Sequence, residues 1–179
     1  MLYVTVPGGD YFDNKKAEFI YPKNQVLQLE HSLVSLAKWE ANWKKPFLSR
    51  NAMTIEETID YIRCMTLTQN VDPEVYYRLT KENLDQVSKY IEDPMTATKF
   101  KDEKSKPSRE VVTAEILYYQ MITLNVPFEC QKWHLNRLLT LIKVCNLKNS
   151  PSKKMSQKEL LAQNKALNDQ RKQMLNTKG

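Results

Sequence analysis

Glycine is nearly missing from this chain. Three occur in 179 residues, at Gly8, Gly9 and Gly179. Positions 10 to 178 therefore lack the residue that most easily takes positive φ. Phosphate loops of the GxxxxGK[ST] or GxGxxG kind are excluded there. A many-stranded sheet with glycine-dependent hairpin turns is disfavoured too. Histidine and cysteine are scarce. The two histidines are His31 and His134, and the cysteines are Cys64, Cys130 and Cys145. There is no HExxH and no CxxC, and a zinc site would need most of these five residues to converge. No metal and no cofactor is expected. An odd number of widely spaced cysteines makes no disulfide framework, so reduced thiols of a cytosolic chain are expected. No apolar run reaches the length of a membrane span. Residues 1–7 lack the basic and apolar pattern of a signal peptide.

What is present reads as a folding, mainly helical chain. Hydrophobic residues make up 41% and charged residues 27%, enough for a core and a soluble surface. A chain of this length buries roughly two-thirds of the surface its unfolded form exposes. The net charge of +6 is concentrated at one end. Residues 150–179 carry seven basic side chains against Glu159 and Asp169, a net +5. The remaining 149 residues are almost balanced, at +1. The expected organisation is a mainly helical globular domain over residues 1–149 and a basic linker with a helical tail over residues 150–179.

Residues 2–6 and 17–21 read as short extended pieces around Pro7-Gly8-Gly9-Asp10, able to pair as a small hairpin. Val26 to Glu30 alternates and reads as a third strand. Short strands are thus expected within residues 1–31. Helical signals dominate afterwards. Ser32 is placed to cap a helix carrying Leu33, Leu36, Ala37, Trp39 and Trp43. Thr54-Ile55-Glu56-Glu57 matches a capping box, and the helix behind it sets Ile55, Ile59 and Ile62 on one face. Asp72-Pro73 pairs a cap with proline at a first helical position. Thr80 is placed to cap a helix with Leu84, Val87 and Ile91 in register. Residues 93–107 break the pattern and read as an exposed loop. Ser108 is placed to cap a helix to about Leu124, with Val111, Ala114, Leu117 or Tyr118, and Met121 inward. A further helix, Cys130 to Asn146, is apolar around much of its circumference and is predicted to be the most buried. After the Asn149–Lys154 linker, Ser156 is placed to cap a polar helix to about Leu175. Its Leu160, Leu167 and Met174 recur every seven residues. So thin an apolar stripe leaves the segment marginal by itself, and it is predicted to be mobile until a partner meets it. There is no clear internal repeat.

No residue constellation supports catalysis, and the chain reads as no enzyme. His134 is read as a polar residue on a helix surface in preference to a general base or a pH-sensitive contact. Cys130 and Cys145 sit among apolar residues, where a thiol acts as a small hydrophobe. Glu56, Glu57 and Asp60 are better explained as carboxylates at the positive end of a helix than as an acid–base cluster. Trp39, Trp43 and Phe47 lie among Lys38, Lys44, Lys45 and Arg50. That interleaving suits nucleic acid, but the same spacing suits a core or protein-contact role, and the latter is preferred. As a partner-binding set we take Trp39, Trp43 and Phe47, since aromatics concentrate binding energy, with Leu160, Leu167 and Met174 of the tail.

Several stretches together are similar to one protein family. They are Leu27-Gln28-Leu29-Glu30-His31-Ser32-Leu33 with Lys38-Trp39-Glu40, Trp43-Lys44-Lys45-Pro46-Phe47-Leu48, Asp60-Tyr61-Ile62-Arg63-Cys64-Met65-Thr66, Asp93-Pro94-Met95-Thr96-Ala97-Thr98, and Pro127-Phe128-Glu129-Cys130-Gln131-Lys132-Trp133-His134-Leu135-Asn136-Arg137-Leu138-Leu139. Over most of residues 25–175 the chain resembles the tail assembly chaperones of long-tailed bacteriophages, with relatives in phages of Gram-positive hosts. The resemblance implies a non-enzymatic protein of the host cell cytoplasm. It would hold the long helical tape-measure protein soluble while tail-tube subunits polymerise around it, and then leave. It also implies, for many members, a longer frameshifted form. It transfers no catalytic, cofactor or binding residue. Two rival readings are a virion structural or head–tail connection component and a small nucleic-acid-binding regulator. The regulator would depend on residues 153–178 and lose binding steeply with salt.

Overall fold

The computed structural model describes residues 1–13, 17–20, 23–49, 52–100, 111–149 and 157–175. The chain is mainly helical, with short antiparallel strands at its N-terminal end. The strands are β1 (Leu2–Val6), β2 (Tyr11–Asp13), β3 (Glu18–Ile20) and β4 (Gln25–Leu29). The helices are α1 (Leu33–Trp43), α2 (Ile55–Met65), α3 (Lys81–Glu92), α4 (Ala114–Thr123), α5 (Leu135–Asn149) and α6 (Gln157–Leu175). Two 3-10 helices, Pro73–Arg78 and Phe128–Lys132, precede α3 and α5. Met1–Asn146 is one compact unit and Leu147–Gly179 a second, the division falling in the last turn of α5. No described helix is long and apolar enough to cross a membrane.

The strand pairing differs from the hairpin expected between residues 2–6 and 17–21. β1 pairs with β4, Val4 opposite Leu27, while β2 pairs with β3. Side-chain alternation decides this. Val4, Val6, Leu27 and Leu29 all fall on one face and are fully buried, whereas Phe19 of β3 is exposed and offers no matching apolar face. The path beyond β4 continues as a connector. Glu30 N donates to Met65 O at the last residue of α2, and Leu67 N, two residues on, donates to Gln28 O. Leu135 N donates to His31 O at the start of α5.

Capping holds as expected at three helices. Ser32 with Ser35, Thr54 with Glu57 and Thr80 with Asn83 each form a reciprocal box. Two helices start elsewhere than expected. α4 starts at Ala114, Val111 is exposed, and Ser108 lies outside the described residues. Thr113 makes no side-chain cap bond there. The Glu40 carboxylate does the work instead, Oε2 accepting from Ala114 N at 2.8 Å. The expected Cys130–Asn146 helix is interrupted. Trp133 is extended, and His134 makes a β-bridge with Ser32 before α5 begins.

The most buried helix is α1, not α5. α1 buries Leu33, Ser35, Leu36, Trp39 and Glu40, five of eleven residues, against three of fifteen for α5. α1 is central because it serves two cores. Trp39 packs with β1, β4, α2 and α3 residues, while Leu33 and Leu36 pack with α4 and α5 residues. Scarce glycine also leaves its mark. The left-handed C-cap of α1 is Lys44, at φ 55, and Asn70 and Asn125 take positive φ in turns. Asparagine tolerates that region better than most residues, and lysine does so with strain of order 1 kcal/mol.

Candidate docking groove

The face of α2 that the spacing of Ile55, Ile59 and Ile62 marks as inward is split by the structure. Ile62 is buried, Ile59 is half-buried, and Ile55 is 79% exposed. The helix instead buries Glu57, Tyr61, Ile62 and Met65. Ile55 and Ile59 are left to line an open groove against the Pro73–Arg78 turn. One stretch, of about 370 Å³, is lined by Met53, Ile55, Thr58, Ile59, Tyr76, Tyr77, Leu79 and Leu84. The next, of about 490 Å³, shares Ile59, Tyr76 and Tyr77 and adds Asn42, Trp43, Glu56, Asp60, Arg63 and Pro73. Tyr77 is 78% exposed. Such contiguous exposed apolar surface, rimmed by polar groups, suits another chain better than water.

The walls are held rigidly. Asp72 caps the 3-10 turn through Glu74 N, and Pro73 sits at its start, where no amide is missed. Tyr76 turns into the core and leaves Tyr77 outside. On the other wall, Asp60 Oδ2 accepts from Trp43 Nε1 at 2.9 Å and Asn42 Nδ2 at 3.1 Å. Trp39 Nε1 donates to Glu57 O at 2.9 Å. Glu57 accepts from Lys45 Nζ at 2.5 Å and from Thr54 N. That Lys45 contact, with the Thr54 amide second, holds the Glu57 carboxyl below the usual carboxylate range. Glu57 and Asp60 are thereby committed to anchoring α1 and the start of α2.

The structure brings three of the sequence-selected residues together. Trp39 stacks on Trp43 with centroids 6.2 Å apart and meets Phe47 edge-on at 5.2 Å. Their exposures differ. Trp39 is 2% exposed and is core. Trp43 and Phe47 are half-buried, and Trp43 alone of the three lines the main groove. Phe47 touches both cores. Leu167 and Met174 lie exposed on α6, within the second unit. The side chain of Leu160 lies outside the described residues. Missed by the sequence reading were Tyr76, Tyr77 and the outward role of Ile55. A paired tyrosine directly after a capped Pro73 turn is the one signal that pointed there.

The reactive side chains are quiet. Burial, with Asp60 second, pushes the Cys64 thiol up to about 11, and burial also raises Cys130. Thiols so raised stay protonated and are poor nucleophiles at neutral pH. His134 is not a surface residue, as the sequence reading had it. It is buried, because its Nδ1 accepts from Asn136 N at 3.3 Å and caps α5 from within. Among the described residues no group of three or more His, Cys, Asp or Glu is placed to hold a metal ion. Comparison with family models, with curated proteins and with solved structures finds no match for this chain.

Proposed function

We propose that this protein is a phage tail assembly chaperone that holds a tape-measure chain soluble in the host cytoplasm. One observation carries the reading: a rigid-walled, open apolar groove formed by Ile55, Ile59, Tyr76 and Tyr77. A tape measure is a long helical chain with apolar surface exposed before assembly. A helix laid in a groove covers such surface with few anchors, here Tyr77 and Ile55. The second contact is α6, whose Leu161, Leu167, Met174 and Leu175 are exposed and whose segment carries most of the net positive charge. The moderate size of each surface suits a partner that must later be released to the tail-tube protein.

The test is co-expression with the candidate tape-measure chain, followed by pull-down and a solubility assay. The expected result is a soluble complex, lost in a Tyr77→Ala, Ile55→Ser double variant whose thermal unfolding is unchanged. Purified virions complete the test, since a chaperone is missing from the mature particle. Presence there at fixed copy number overturns the reading in favour of a structural component.

A further inference from the structure

The two hydrophobic cores of the Met1–Asn146 unit meet at a polar seam, and its centre is a pair of buried histidines. His31 and His134 lie edge to face with ring centroids 5.0 Å apart. Each ring is tied to a different helix. His31 Nδ1 is 2.5 Å from the Tyr61 hydroxyl of α2. His134 Nε2 is 2.9 Å from Tyr90 O of α3, while its Nδ1 accepts from Asn136 N. The acceptor role of Nδ1 places the ring proton on Nε2, which donates to Tyr90 O. Backbone contacts join the same two residues: Leu135 N donates to His31 O at 2.7 Å, and Ser32 bridges His134.

We infer that the His31–His134 contact is an acid-released latch that holds the start of α5 against the end of the β4 path while His31 is neutral. A proton on His31 would place a buried charge 5.0 Å from the partner ring. Among the described residues no carboxylate is bonded to either ring, and Asp93 at the end of α3 acts on Tyr90. From α2 the seam is faced by Tyr61, with Cys64 beyond it, and from α3 by Tyr90. From the β4 path comes Glu30, which is engaged by the Tyr90 hydroxyl at 2.7 Å and by the Met1 amine at 3.1 Å. From α1 comes Ser35, while the Glu40 carboxylate is turned to the Phe47 and Ala114 amides. Burial first and His134 second hold His31 down to about 3, which agrees with a ring kept neutral as long as the seam is closed. Charging His31 therefore favours separation of the seam, and the apolar side chains of α5 beside it are uncovered. The inference stands apart from the proposed client.

Amide hydrogen exchange on the full chain at pH 7.5 and pH 5, corrected for intrinsic rates, tests this. The Leu135 and Asn136 amides are expected to lose protection by about 30-fold, the factor that 1.5 pH units below an ordinary histidine imposes. The Leu67 amide, bonded to Gln28 O in the first core, and the Val126 amide, bonded to Met121 O in the second, are expected to stay more protected than the seam amides at both pH values. A His31→Phe variant places no titrating ring against Tyr61 and should lose most of the pH-dependent change at residues 135 and 136. Unchanged protection at both amides overturns the latch. Protection and loss that are equal at all four amides also overturn it, because that is exchange by global unfolding alone. Should His31→Phe fail to fold, the four amides of the unmodified chain decide the matter alone.

Discussion

Glu40 and Ala114 are 74 residues apart in sequence and share one hydrogen bond, from the Ala114 amide to Glu40 Oε2 at 2.8 Å. The other oxygen of the same carboxylate accepts from Phe47 N at 2.8 Å. A buried carboxylate in α1 thus provides the cap that Thr113 does not, and it fixes the turn after α1 at the same time. It also sits where the positive end of α4 favours an anion. Glu40→Ala leaves two amides without acceptors at a largely buried site. The expected loss is about 2–4 kcal/mol in urea unfolding, from one to two kcal/mol per orphaned amide. Glu40→Gln keeps a single acceptor oxygen and should lose about half as much.

Trp39 and Trp43 are one helical turn apart and should respond differently. Trp39→Ala empties a core site and removes the bond to Glu57 O, for a loss of about 3–5 kcal/mol. Trp43→Ala, at a half-buried wall of the groove, should lose about 1–2 kcal/mol, the transfer energy of its covered part and one part-buried hydrogen bond. Parallel thermal or urea unfolding of the two variants checks this. Equal losses would show that the two indoles are packed alike.

Tyr77 and Ile55 reach into solvent, so their truncation should leave stability within about 0.5 kcal/mol of the unmodified chain. A partner that uses the groove should bind Tyr77→Ala more weakly by about tenfold or more, corresponding to at least about 1.4 kcal/mol for one aromatic anchor. Titration calorimetry against the captured client reads the affinity, and urea unfolding of the variants alone reads the stability.

Acid should destabilise the fold through His31. His31 stays neutral in the folded state to about pH 3, whereas in an unfolded chain it takes up a proton near 6.5. Below pH 6.5 the unfolded state therefore binds more protons. The contribution of His31 is complete above that pH and is lost progressively as pH falls toward 3. At pH 5 the loss is about 2 kcal/mol, which is 1.5 pH units at 1.36 kcal/mol each. Urea midpoints measured at pH 7 and pH 5 test the sign. His31→Phe, which cannot titrate, should show a smaller difference between the two.

Local chemistry was readable wherever a signal is complete within a few residues. The capping pairs of Ser32, Thr54 and Thr80 are of this kind, as are the stop at Asp93-Pro94 and the turn at Asp72-Pro73. The start of α4 was not, since its cap comes from Glu40 and no window around Thr113 contains that residue. Ile55 illustrates the same limit. Its spacing from Ile59 and Ile62 defines a helical stripe, but a stripe does not say how far a neighbouring element reaches along it. The Pro73–Arg78 turn stops short of covering Ile55, and a groove results.

By itself the sequence determined the helical class, the short N-terminal strands, the charge-rich C-terminal segment and most helix starts, because each follows from periodicity, capping or composition within reach of a single turn. Only the tertiary structure decided that β1 joins β4, that α1 is the shared spine of two cores, and that His31 and His134 meet in the interior. Those outcomes depend on which surfaces are left over after every other element has packed, and that is a property of the whole chain.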